Sequence, residues 1–349
     1  MDPRRVRAVA RRIVLQFRRD RRSLGLLFIA PILVLTLVGQ LWGSSTASKV
    51  RIIAVGDAPP ELLDAFKGTD IDLTVADRDA ALDSLKAGTA DAIVEFRENT
   101  ADVTVEGSDP TRTGTIVGQV QAALTHLILE TPLASFVKVN YLYGGPQYTL
   151  LDYLAPVLIG FFAYFFIFLL SCVSFLRERT SGTLERLLAS PLKRGELILG
   201  YLGGFGVFAL LQALVILAWT VFVLKVQYRG NLATIFIVEA TLVVGAVSLG
   251  LAISAFARNE LQAVQFIPLV ILPQAFLSGL LVPVDQLNDW LRPISRVLPL
   301  TYATEALRSV MVKGYALTDP LILRDIAILA GFALVVAIAA VASIRREVA

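Results

Sequence analysis

Residues 177–200 read RERTSGTLERLLASPLKRGELILG and interrupt two long apolar runs with charge and turn chemistry. Leu154 to Leu176 upstream is almost wholly apolar, and Leu197 to Leu224 downstream is apolar again. Each run is long enough to cross a hydrocarbon layer of about 30 Å as a helix. The polar stretch therefore reads as a short loop at one membrane face. Within it, Leu184, Leu187 and Leu188 recur at helical spacing, while Glu185 and Arg186 fall on the opposite side of the same short helix. Ser181 or Thr183 is expected to cap its first turn, Gly182 to free the backbone for a bend, and Ser190-Pro191 to stop it. A plain basic anchor between two spans accounts for Arg177, Arg179, Lys193 and Arg194, but not for an amphipathic turn.

A chain of 349 residues that is 56% hydrophobic and 17% charged, with mean hydropathy +0.68, is too apolar for an ordinary soluble domain. It reads as a mainly α membrane protein. The net charge of +3 says less than its distribution, because basic residues gather in the first turns and in the short inner loops. Nothing in that distribution calls for a nucleic-acid partner. The single Cys172 lies in an apolar run and the single His126 in a polar segment, so one chain builds neither a disulfide framework nor a Cys/His zinc site.

Residues 1–22 carry Arg4, Arg5, Arg7, Arg11, Arg12, Arg18, Arg19, Arg21 and Arg22, with Val6, Val9, Ile13 and Phe17 at steps of three or four. That pattern predicts an amphipathic interface helix, its apolar stripe in the bilayer surface and its arginines near anionic lipid headgroups. Residues 23–43 form the first predicted span. A secretory signal also begins with charge, but this apolar run is longer than a signal core and further spans follow. Residues 44–152 are polar, with eight basic against sixteen acidic residues from Gly43 to Asp152, the reverse of the N-terminal helix. They predict a small extracytoplasmic α/β domain, with strands at Val50 to Val55, Ile71 to Val75, Ala92 to Phe96 and Val103 to Val105. Its helices are expected at Glu61 to Lys67, at Asp77 to Ala87 behind an Asp cap, and along Thr111 to Asn140.

Residues 153–349 supply spans two to six, with a loop at 177–196 and a broken, re-entrant segment at 277–308 after the fifth span. Pro268, Pro273, Pro283, Pro293 and Pro299 motivate the break, since proline removes a backbone donor and irregular backbone at membrane depth needs protein or water around it. Six crossings return both basic termini to the cytoplasmic side. Candidates for a translocation path are Phe162 and Phe166 in the second span, Gln212 in the third, Glu239 in the fourth, and Gln274 and Ser278 in the fifth. The aromatic rings either line a path for a greasy substrate or pack against lipid and neighbours. Glu239, a carboxylate inside a span, stands near the outer end where it is expected to reach water. Gly200 and Gly204, one turn apart, would let another helix approach closely. No Gly-Lys-Ser/Thr phosphate loop occurs, so the chain has no ATPase site of that kind.

The run Glu178-Arg179-Thr180-Ser181-Gly182-Thr183-Leu184-Glu185, followed by Leu187, Ser190-Pro191 and Glu196-Leu197, closely resembles the cytoplasmic loop of type-2 ABC exporter permeases. Leu277-Ser278-Gly279, Pro283, and Leu298 to Tyr302 with Glu305, Leu307 and Arg308 resemble the outer gate of the same family, in the branch with a large extracytoplasmic domain. The resemblance implies that the loop is a coupling helix seated in a separate ABC ATPase subunit, with Glu178, Arg179, Gly182, Thr183, Leu184, Glu185 and Arg186 forming or positioning the contact. ATP and Mg would then be bound by the partner ATPase, with no cofactor and no enzyme activity in this chain. A second permease copy or paralogue and membrane lipids are the other implied partners, in the cell membrane. The implied function is ATP-driven export of an amphipathic drug, lipid or small peptide. A membrane sensor or scaffold whose outer domain binds a ligand without transport is the alternative.

Overall fold

The structure, a computed structural model, describes residues 1–41, 50–56, 71–97, 100–105, 137–141, 150–257 and 259–343, with the single positions 107, 113, 116 and 148. It begins with α1 (Pro3–Arg19), α2 (Arg21–Leu41), β1 (Val50–Val55), β2 (Ile71–Val75), α3 (Arg78–Lys86), β3 (Ala92–Arg97), β4 (Thr100–Val105) and β5 (Val137–Tyr141). Then come α4 (Leu150–Thr180), α5 (Thr183–Leu188), α6 (Arg194–Ala218) running into a π-helical turn at Trp219–Val223, and α7 (Leu232–Ser254). The last part holds α8 (Glu260–Leu277), a 3-10 turn at Val284–Gln286, α9 (Arg292–Ser295), α10 (Pro299–Arg308) with a π-helical turn at Ser309–Lys313, and α11 (Pro320–Ser343). Two compact units result, Met1–Leu41 with Leu154–Ala349, and Trp42–Tyr153.

In the helical unit, α2, α4, α6, α7 and α11 are long and apolar enough to cross a membrane, and α8 is a shorter apolar helix. α7 lies at the centre, against α11, α6 and α10. Gly250 lets it close on α4, because a Cβ there would stand 2.8 Å from the Phe168 carbonyl oxygen and overlap the Ser171 hydroxyl. At Gly160 of α4 a Cβ would stand 3.0 Å from Leu307 of α10. The main chain breaks after α8, where Gly279 takes φ +87°. Arginines hold the broken segment by donating to its carbonyls: Arg292 to Leu287 and Asp285, and Arg308 to Gly279.

The N-terminal helix differs from its expected setting. Val9, Ile13 and Phe17 are buried against α6, not laid free into a membrane interface. The glycine spacing explains it: a Cβ at Gly200 would stand 2.5 Å from the Val9 Cβ, and one at Gly204 2.6 Å from the Ile13 Cβ. The helix that the small residues admit is therefore α1, and Phe17 meets Phe205 edge-on at 5.3 Å between ring centres. One residue, Asp20, joins α1 to α2 and caps the latter, accepting from the Ser23 amide at 3.2 Å and its hydroxyl at 2.6 Å. These bonds hold the Asp20 carboxyl below the usual carboxylate range.

The second unit is built on a sheet of order β2-β1-β3-β4-β5. β1 is parallel to β2 and β3, β3 and β4 form an antiparallel hairpin, and β5 is parallel to β4. α3 packs Ala81 and Leu85 onto Ile53, Ala90 and Ile93. Asp91 is buried and accepts from both the amide and the guanidinium of Arg51. Asp77 stands at the N-cap of α3 but its side chain makes no cap bond. The end of the helix expected along Thr111 to Asn140 is overturned, because Val137–Tyr141 is a strand. Valine and tyrosine alternate there with Lys138 and Asn140, the period of two that a strand requires. The helix expected at Glu61 to Lys67, and His126, lie outside the described residues.

Candidate functional site

At one end of the helical unit, α5 stands between α4 and α6 as a helix of only six residues. Gly182 precedes it with φ 69° and occupies the N-cap position without a side-chain bond. The expected Ser181 or Thr183 cap is thus not formed. Ser181 instead donates to the Glu178 carbonyl at 3.3 Å and lies 3.0 Å from the Thr183 hydroxyl. The left-handed turn favours glycine and swings the chain out of α4. At the other end Ser190 donates to the Leu187 carbonyl at 2.5 Å. Leu184 is buried, while Glu185 and Arg186 are exposed.

The charges around α5 behave differently from those on it. Glu178 is 5% exposed and accepts both its Arg12 bonds at 3.0 Å, with a further bond from the Tyr201 hydroxyl at 2.5 Å. One carboxylate thus ties α1, α4 and α6 together. Arg179 donates to the Ser254 carbonyl at 2.6 Å and the Ala257 carbonyl at 3.4 Å, satisfying the open C-terminal end of α7. Glu196, 1% exposed, accepts from the Lys193 amide at 2.9 Å at the start of α6 and from the Asp2 amide at 2.7 Å. Arg5 stands 3.7 Å from it and donates to the Pro191 carbonyl. Of the residues implied as coupling residues, Glu178 and Arg179 hold the surrounding helices, Gly182 makes the bend, Thr183 is half-buried, Leu184 anchors α5, and Glu185 and Arg186 face outward.

Arg12, Tyr201, Asp2 and Arg5 were not singled out by sequence reasoning as anchors. The signals were present: Arg12 precedes Ile13 at the edge of the apolar stripe, Tyr201 is a hydroxyl in an apolar run, and Glu196 is three residues past Lys193, the reach of an N-terminal cap.

The six path candidates all lie inside the helical unit. Phe162 and Phe166 are 8% and 7% exposed, with ring centres 6.2 Å apart. Gln212 donates to the Phe162 carbonyl at 3.3 Å. Gln274 donates to the Tyr164 hydroxyl at 3.2 Å and accepts from the Leu300 amide at 3.3 Å, joining α8, α4 and α10. Ser278 is fully buried, and its hydroxyl has no hydrogen-bond partner among the described residues. Glu239 corrects the sequence reading most: it is fully buried, does not reach water, and neither carboxylate oxygen has a partner among the described residues. Position in α7 placed it near an end, but α6, α10 and α11 cover that helix.

The end of the unit opposite α5 carries a chain of charges. Arg296 donates to Glu305 at 2.9 Å, Arg324 lies 3.2 Å from Glu305, and Arg324 donates to Asp325 at 2.7 and 2.9 Å. Asp325 is fully buried and its second oxygen has no partner among the described residues. This network ties the residue that follows α9, and α10, to α11.

A family described as ABC-2 family transporter protein matches residues 21–342. Curated relatives include ABC transporter G family member 20 of Dictyostelium discoideum, 33% identical over 50% of this chain and 24% of its own length. Probable multidrug ABC transporter permease YbhS of Escherichia coli (strain K12) is 31% identical over 40% of this chain and 37% of its own. Linearmycin resistance permease protein LnrN of Bacillus subtilis (strain 168) is 28% identical over 49% of this chain and 43% of its own. The matched stretch thus spans between about a quarter and a half of these relatives.

Proposed function

This chain belongs to the ABC-2 family of transporter permeases, and we propose that it is the membrane subunit of an ATP-driven exporter whose ATPase is a separate chain docked on α5. The observation that carries this reading is the contrast at α5: Glu185 and Arg186 are offered outward, while Glu178, Arg179 and Glu196 are bonded into four helices behind them. A push on the exposed turn is then delivered to α1, α4, α6 and α7 together. Mechanical coupling of this kind needs a rigid element with a second position available.

In the proposed topology α2, α4, α6, α7, α8 and α11 are six crossings, with α5 and both termini cytoplasmic and the sheet outside. The arginines of α1 and of the α5 loop support that orientation. α8 has 18 residues, about 27 Å of helix at 1.5 Å per residue, close to the hydrocarbon thickness. Two such permeases, identical or paralogous, would flank the path and two ATPases would close on ATP and Mg beneath them. ATP closure pushes α5, and the path changes access. Relatives named as a probable multidrug permease and a linearmycin resistance permease support an amphipathic drug-like substrate. Lipid or small peptide remains within the same chemical class.

The test is purification of the tagged chain from its native membrane with assay of ATP hydrolysis. A stoichiometric ATP-binding subunit should accompany it. Glu185→Arg should lower both its retention and the stimulated ATP hydrolysis about tenfold or more, since like charges brought together at an interface cost several kcal/mol. A chain isolated alone under mild detergent, or a variant with undiminished coupling, would contradict the reading.

A further inference from the structure

We propose that the cleft between α2 and α4 binds one anionic glycerophospholipid from the leaflet at the α5 end. A cavity of about 140 Å³ lies there. Its polar rim is made by Ser23, Ser174 and Arg177. Its body is apolar, with Leu26 and Leu27 of α2 facing Phe166 and Leu170 of α4. Leu26, 50% exposed, opens the cavity sideways toward the space that a bilayer would occupy.

The length of the stripe fits one leaflet, with the cavity holding part of a chain against it. Phe166, Leu170, Ser174 and Arg177 follow one another at helical steps, forming a single stripe of α4. From Arg177 to Phe166 the stripe runs about 16 Å at 1.5 Å per residue, close to half of a hydrocarbon core of about 30 Å. A cation thus stands at the membrane face, and an apolar wall descends through one leaflet beneath it.

The charges fit an anion. Arg177 is exposed at the rim, and Arg18, Arg19, Arg21 and Arg22, all exposed, stand on the turns around the α1–α2 junction. Asp20 is the acid among them; its carboxylate takes the Ser23 amide and hydroxyl and also lies within the electrostatic reach of Arg177, one acid against five arginines. The balance stays strongly positive. A guanidinium with the Ser174 hydroxyl beside it is a donor set that suits phosphate oxygens, and two apolar walls suit an acyl chain. This inference requires only that α2 and α4 lie in a bilayer, and does not rest on export.

The test uses the full chain in vesicles of phosphatidylcholine containing phosphatidylglycerol with a photoreactive acyl chain. Label should map to peptides containing residues 23–27 and 166–174, and excess unlabelled phosphatidylglycerol should remove it while phosphatidylcholine and inorganic phosphate do not. Arg177→Gln should lower labelling about tenfold, the loss of one charge-assisted bond. Leu170→Trp, which fills the cleft and leaves the arginine in place, should abolish it. Equal labelling by a photoreactive phosphatidylcholine, label spread evenly over lipid-facing helices, competition by inorganic phosphate, or labelling that Leu170→Trp leaves unchanged would each overturn the proposal.

Discussion

The two ends of the helical unit treat buried polar groups in opposite ways. Near α5, Glu178 and Glu196 are almost fully buried, yet their oxygens meet Arg12, Tyr201, Lys193 and Asp2, and the buried atom left without a partner there among the described residues is Arg12 Nη1. Toward the other end, Glu239, Ser278, Thr304, Thr220 and one oxygen of Asp325 are buried without partners among the described residues. A satisfied network resists rearrangement, whereas an orphaned polar group raises the energy of the state that contains it. The difference teaches that the helices around α5 are tied to one another, so that under the proposed coupling they would move as a block. The opposite end holds the groups that would gain most from any arrangement in which a polar partner reaches them.

The largest expected effect breaks the satisfied end. Arg12→Ala removes the guanidinium from a buried carboxylate and should destabilise the protein by about 3–5 kcal/mol, read as a lowered unfolding temperature in detergent. Tyr201→Phe should cost less, about 1–2 kcal/mol, since one hydrogen bond is lost and the ion pair stays. If both variants unfold like the parent, the block is not held by Glu178.

Overpacking the glycine face comes next. Gly204→Leu should drive Ile13 and α1 away from α6 at a cost of about 1–3 kcal/mol. Combining Gly204→Ala with Ile13→Ala should recover much of the loss seen with Gly204→Ala alone, because the clash is between those two positions. Strictly additive losses would show that α1 does not rest there.

The opposite end should answer with the reverse sign. Glu239→Leu should leave stability unchanged or raise it by about 1–2 kcal/mol, because an unpartnered buried carboxyl is replaced by an apolar side chain. Under the proposed exporter reading, transport should fall in the same variant. A clear loss of stability would mean that Glu239 has a partner in the bilayer.

The smallest effect belongs to Asp20. Its carboxyl titrates lower in the folded chain than in the unfolded one, so its contribution is present above the unfolded value of about 3.9 and fades as pH falls through the lower folded value. Asp20→Ala should cost about 1 kcal/mol of capping near neutral pH, and the difference from the parent should vanish in acid.

How much of this was legible in the sequence depended on range. The α5 turn was readable as a short helix because its glycine, leucine spacing and stop lie within a dozen residues. The α1 stripe was readable as a stripe, but its cover was not, since Val9 and Gly200 meet across 190 residues of chain and each pattern alone also suits a membrane surface. Glu178 read as a loop charge because its partner, Arg12, is 166 residues away. Glu239 read as near water because position along one helix says nothing of the three helices that cover it. Strands β1 and β2 followed from their local pattern, whereas β5 needs its neighbour β4 to outweigh a helical reading.

The most direct measurement compares the two ends in motion. In a Cys172→Ala background, spin labels at exposed Arg7 and Arg186 would report the α5 end, and labels at exposed Trp290 and Leu323 the opposite end. Distances would be taken by pulsed electron resonance in the complex with the proposed ATPase, before and after ATP. The account predicts one unchanged distance for the first pair and a shifted or broadened one for the second. A first pair that separates while the second stays fixed would contradict it.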